Sequence, residues 1–298
     1  MNASPARLHA VRTVVLWGFA VVWFAEMTLW GLRPLSDRWS AFWEVPVPGD
    51  PSLATALYLT HAIEAAGKGA LGILAVSALR SRSPFVRAAL FVPMALVPPL
   101  NLAFPFRAQG FPLGPTLCGA TLSVILWETF FLFKDRSAQP VPSGGAAPAS
   151  RAPASAWLER GWFAANALLQ TLVAGFFILA PATAVRGALP CFAGPADAAR
   201  AVPWVLTIPG MTVGTHLAAV ATATWIGTVY ARRNASVRRA VAAANTLLFA
   251  LLCALPLVQL AQHAGVDCTL SSPLLYAVPF LAGWIVYAAR SLEAPCRP

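Results

Sequence analysis

The length of its apolar runs limits this chain more than any other feature. Crossing the hydrocarbon core of a bilayer takes about 20 predominantly apolar residues, and eight segments reach or approach that length: 11–32, 54–79, 85–105, 112–134, 157–182, 203–230, 236–262 and 273–290. Each is expected to be helical, because lipid offers backbone N–H and C=O groups no outside partner. Composition supports the same conclusion. The chain is 58% apolar and 11% charged, against about 25% charged in ordinary soluble domains. A soluble globular enzyme, a disordered chain and a secreted disulfide scaffold are excluded, and the fold class is an all-α integral membrane protein with eight transmembrane helices.

A net charge of +10 would suggest nucleic acid if the chain were soluble, but the basic residues lie in short segments between apolar runs. With the N-terminus inside, fifteen basic residues fall on the inner side and five on the outer, with Lys68 left within a span. Such an excess orients the chain with both termini in the cytoplasm, in a bacterial inner membrane, with lipids and not nucleic acid as partners. The first run continues through Glu26 and Trp30 without a clean small-x-small cleavage site, so it reads as a retained anchor.

Residues 135–156 form a Pro/Ala/Ser/Gly cytoplasmic linker with too few large apolar residues to pack. It divides the chain into a first four-helix half, 1–134, and a second, more apolar one, 157–298. Four spans per half give both the same orientation, the arrangement of a parallel repeat. SPFVRAAL (83–90) matches NASVRRAV (234–241) at the inner entry to the third helix of each half, and PPLNLA (98–103) matches PLVQLA (256–261) near its outer end.

Ionisable side chains within a span are costly and mark functional sites by default. The first half holds Glu26, His61, Glu64, Lys68 and Glu128 within its spans, while the second holds only His216. The i, i+3, i+7 spacing of His61, Glu64 and Lys68 places them on one face of the second helix, amid Gly67, Gly69 and Gly72, which permit close approach of a neighbour. Two readings stand side by side: a structural ion pair with a hydrogen-bonded histidine, or a titratable cluster that binds a polar group or relays protons. Lys68 is one of only two lysines in a chain that otherwise uses arginine, and a buried lysine, unlike arginine, can surrender its proton.

Depth counting puts Glu26, His61 and Glu64 at a similar outer level. Pro98-Pro99 followed by Asn101 in the third helix, and Pro256 followed by Gln259 in the seventh, stand near the same level. Interrupted spans in equivalent positions of two halves point to a transporter binding site, so an outward-facing pocket lined by Glu26, His61, Glu64, Asn101 and Gln259 is expected. The alternative is that these prolines only kink their helices.

Cys191 and Cys268 both fall in outer loops, where oxidation is favoured, and are expected to form a disulfide. Cys118 and Cys253 lie within spans as small packing residues. Four histidines without a Cys-x-x-Cys or His-Glu-x-x-His spacing give no metal site and no cofactor motif. The stretch AIEAAGKGALGILAVSALRSRSPFVRAAL (62–90) resembles the second helix of DoxX-type membrane proteins, with a Glu before a glycine-rich apolar run. It covers about a tenth of the chain, and no residue role is transferred from it.

The function expected from these features is that of a transporter or permease-like protein binding a small polar or amphiphilic molecule. A membrane-embedded enzyme acting on a lipid or isoprenoid by acid/base chemistry, and a non-catalytic subunit of a membrane complex, are the alternatives.

Overall fold

The computed structural model describes residues 5–32, 51–106, 154–188, 204–230, 234–262 and 271–293. They are helical apart from short connections, and no strand occurs among them. The helices are α1 (Pro5–Leu32), α2 (Pro51–Arg80), α3 (Pro84–Asn101), α4 (Ala154–Leu179), α5 (Pro181–Ala188), α6 (Trp204–Tyr230), α7 (Ala235–Gln262) and α8 (Ser271–Glu293). The expected span 112–134, the linker over 135–153, and Glu128, Cys118, Cys191 and Cys268 lie outside the described residues.

Among the described residues, four helices are long and apolar enough to cross a membrane: Leu57–Arg80, Phe85–Phe104, Trp157–Leu179 and Ala235–Val258. Thr13–Leu29 within α1 and Ala277–Ala289 within α8 are shorter apolar stretches. The expected span 203–230 is a helix but is not among the four. Its six threonines and His216 dilute its apolar character. Three of those hydroxyls return to their own helix: Thr212 donates to the Ile208 carbonyl, Thr222 to Ala218 and Thr228 to Thr224, at 2.9–3.1 Å. Back-bonding of this kind leaves little unsatisfied polarity in an apolar setting.

Two boundaries differ from the hydropathy reading. The fifth run, 157–182, ends at Leu179 and the chain bends at Ala180 into the separate helix α5, since Pro181 has no N–H with which to continue α4. Pro98 and Pro99 do not end α3. The helix runs through them to Asn101, and the chain then widens into a π-turn over Leu102–Phe106. There the Leu102 N–H reaches both the Pro98 and Pro99 carbonyls. Pro209 and Pro256 are likewise accommodated inside α6 and α7.

The matching sequences 83–90 and 234–241 begin with equivalent helix caps. Ser83 Oγ accepts from the Val86 N–H at 3.4 Å, and Asn234 Oδ1 accepts from the Val237 N–H at 3.2 Å. Each cap satisfies a donor that the first helical turn leaves open, and each is followed by a buried valine, Val86 or Val237.

Helix α2 is the hub, packing on α1, α3, α6 and α7. The pairings repeat: α1 lies on α2 as α4 lies on α6, and α2 meets α7 as α6 meets α3, with α2 and α6 in contact at the centre. Helices before and after the linker are thus interleaved. Small residues allow the close approach. A Cβ on Gly67 would stand 3.0 Å from His216 Cβ of α6, one on Gly69 2.6 Å from Leu251 Cδ1 of α7, and one on Gly72 2.9 Å from the Phe24 ring of α1.

In α6, a Cβ on Gly214 would meet Ile178 Cγ1 at 2.7 Å and the backbone of α4 at Ala174 O and Ile178 N, both 3.0 Å. Backbone cannot swing aside as a side-chain tip can. Gly214→Val should therefore cost about 1–3 kcal/mol through overpacking. The control Gly18→Val, where nothing lies within 4 Å, should stay within about 0.5–1 kcal/mol. Thermal unfolding in detergent checks this, and equal melting temperatures for the two variants would contradict the packing described.

Candidate functional site

The polar stripe of α2 does lie along one face, and its members bond to one another. His61 Nδ1 stands 3.2 Å from Glu64 Oε2, and Lys68 Nζ is 2.7 Å from Glu64 Oε1. The same ammonium is 2.6 Å from Glu26 Oε2 on α1. One cation therefore binds two carboxylates on two helices. The Lys68 and Glu64 side chains are each 5% exposed and His61 11%, whereas Glu26 is 38% exposed. The cluster is buried at one end and open at Glu26.

Among the described residues of this cluster the formal charges do not sum to zero without His61. Glu26 and Glu64 carry −2 and Lys68 +1, a sum of −1 with His61 neutral and zero with His61 as an imidazolium.

Of the other residues expected to line a pocket, Asn101 is bonded to α6: its Oδ1 accepts from Thr215 Oγ1 at 2.5 Å. The side chain of Gln259 lies outside the described residues, as does the Cys191–Cys268 pair. Cys253 is a free thiol, partly buried against the main apolar core. Among the described residues no group of three His, Cys, Asp or Glu side chains could hold a metal ion.

Two residues that charge spacing alone did not place beside the cluster are Trp23 and His216. His216 packs on Gly67, the residue before Lys68, and its ring meets that of Trp23 edge to face at 5.5 Å between centroids. Trp23 stands one residue short of a full turn before Glu26 on α1. His216 was visible in the sequence as the one mid-span ionisable group of its half, and Gly67 was the signal for what could approach α2.

The second half has polar centres of its own. Gln170 Nε2 donates to Asn245 Oδ1 at 2.5 Å, Asn245 Nδ2 to Thr224 Oγ1 at 3.1 Å, and Thr224 Oγ1 to Gln170 Oε1 at 2.9 Å. This closed ring ties α4, α6 and α7 together. Trp284 Nε1 donates to Asn166 Oδ1 at 3.0 Å, joining α8 to α4. Near the start of α4, Glu159 Oε1 pairs with Arg238 Nη1 at 3.0 Å and accepts from the Tyr287 hydroxyl at 2.5 Å. The amides in this set are neutral and so escape a search for charges, although an unpaired amide in lipid is also costly.

Comparison of the chain with protein-family models, with curated proteins and with solved structures finds no match. The residues themselves therefore carry the functional argument.

Breaking a buried ion pair from one side leaves the other charge uncompensated. Lys68→Met should lower stability by about 3–5 kcal/mol, and adding Glu26→Gln and Glu64→Gln to that variant should recover most of the loss. Denaturant-induced unfolding in micelles measures both. A Lys68→Met protein as stable as the wild type would contradict the bridged arrangement.

Proposed function

We propose that the protein is a transporter or permease-like membrane protein that binds a small polar or amphiphilic molecule at the Glu26–His61–Glu64–Lys68 cluster, with proton exchange at the same place. The observation that carries this reading is the unbalanced buried charge. A group of two carboxylates and one ammonium is neutralised either by a proton on His61 or by a cationic part of a bound molecule, and Glu26 is the half-exposed point of entry. Competition between proton and substrate for one neutralising position is the physical basis of coupled exchange, since each shifts the equilibrium only through its differential binding.

Further support comes from the architecture. The repeated pairing of α1–α2 with α4–α6, and the equivalent caps at Ser83 and Asn234, favour a parallel duplication of the kind used by transporters. The π-turn after Pro98-Pro99 is of a type often found at functional sites. The fifteen-to-five basic asymmetry favours cytoplasmic termini in a bacterial inner membrane, with Cys191 and Cys268 paired on the outer side. Labelling of these two thiols by a membrane-impermeant maleimide only after reduction would support both assignments; labelling without reduction would contradict the disulfide.

Proteoliposomes loaded with a pH-sensitive dye and challenged with a panel of amino acids, organic acids and amphiphilic amines test the function. At least one compound should move internal pH with the wild type, and Glu64→Gln should abolish the response while the protein stays monodisperse. A panel without any response, or a response unchanged in Glu64→Gln, would contradict the proposal.

A further inference from the structure

Among the described residues, two buried polar atoms have no hydrogen-bond partner at the contact of α1 with α6: Trp23 Nε1 and His216 Nε2. Both residues are deeply buried, at 6% and 2% exposure. The other imidazole nitrogen is occupied, because His216 Nδ1 lies 2.7 Å from the Thr212 carbonyl. A carbonyl only accepts, so Nδ1 carries the proton and the neutral ring presents Nε2 as a bare acceptor. An indole N–H only donates. The two rings touch edge to face, yet neither nitrogen is bonded to the other.

A buried donor or acceptor left unpaired costs about 1–3 kcal/mol, and native proteins rarely leave such groups empty. One donor and one acceptor on adjoining rings are complementary to a single chemical group, an O–H. Its oxygen accepts from Trp23 and its hydrogen goes to His216. Polar residues flank the place on each contributing helix: Glu26 follows Trp23 on α1, Lys68 follows Gly67 on α2, and Thr215, which holds Asn101, precedes His216 on α6.

We propose that Trp23 and His216 form a binding site for one hydroxyl group, supplied by a water molecule or by a hydroxylated small molecule, that accepts from Trp23 Nε1 and donates to His216 Nε2. Neither residue belongs to the charged cluster, so this site stands whether or not the cluster transports. Its occupant adds a neutral polar position beside the charged one, on the side where α6 packs against α2.

Nitrogen-15 NMR of histidine-labelled protein tests the site, because the chain has only four histidines and the His216 resonances are assigned by their loss in His216→Phe. The unprotonated Nε2 of the wild type should resonate upfield of an unbonded imidazole acceptor, and Trp23→Phe should shift it back downfield. Magnetisation transfer from water to that nitrogen identifies water as the occupant, and an upfield resonance without such transfer identifies a hydroxylated molecule. An Nε2 at the unbonded position, a protonated Nε2, or an upfield resonance indifferent to Trp23→Phe would overturn the proposal. Should Trp23→Phe fail to fold, the wild-type position alone decides between a bonded and an unbonded acceptor.

Discussion

The rest of the structure depends on Lys68 binding two carboxylates at once. Its ammonium sits in the most deeply packed part of α2 and reaches Glu64 on its own helix and Glu26 on α1. Placing these charges in an apolar bundle is expensive unless all are paired, so the contact fixes the rotation of α2 about its axis and the height of α1 beside it. Once that face of α2 is set, Gly67, Gly69 and Gly72 present gaps to α6, α7 and α1 respectively. Packing on all three neighbours follows from one ionic constraint and three missing side chains.

The same economy governs the other helices. Lipid gives no hydrophobic reward for bringing helices together, so association rests on close packing and interhelical hydrogen bonds. The Gln170–Asn245–Thr224 ring joins α4, α6 and α7, and Asn166 with Trp284 joins α8 to α4. Apart from the Glu159–Arg238 pair near the start of α4, these contacts of the second half are neutral. The first half uses ions instead, and an ionic cluster has a property an amide ring lacks: a proton changes its balance. Structural and functional readings of the stripe are therefore compatible, since the lysine that locks α1 to α2 stands, among the described residues, between two carboxylates.

Much of this was legible in the sequence, and the reasons are specific. Helix α2 and its stripe were readable because a helical period puts His61, Glu64 and Lys68 on one face whatever their surroundings. The caps at Ser83 and Asn234 were readable as matching local sequences. What periodicity cannot show is which helix faces which. The level of Glu26 could be counted, but its bond to Lys68 depends on how α1 rotates, and the meeting of Trp23 with His216 depends on how α1 and α6 each pack against α2. Asn101 was assigned to the pocket by depth, yet its partner is Thr215 on α6. Helix α6 was read as a span interrupted at Pro209-Gly210, whereas the helix continues through Pro209 and its threonines, several back-bonded to their own helix, set it apart from the more apolar spans. Pro98-Pro99 suggested a broken helix, whereas the helix runs through them to Asn101 and then widens into a π-turn over Leu102–Phe106.

The bridge at Lys68 can be observed directly, because the chain contains only Lys68 and Lys134 and a lysine side-chain nitrogen label gives two signals. Dipolar recoupling between that nitrogen and carboxyl-labelled glutamate in lipid bilayers measures their separation. With Nζ 2.6 and 2.7 Å from carboxylate oxygens, the Lys68 signal should dephase strongly from two carboxyl carbons, and each of Glu26→Gln and Glu64→Gln should remove one of the two couplings. A Lys68 signal that does not dephase, or one whose dephasing is unaffected by Glu26→Gln, would contradict the account.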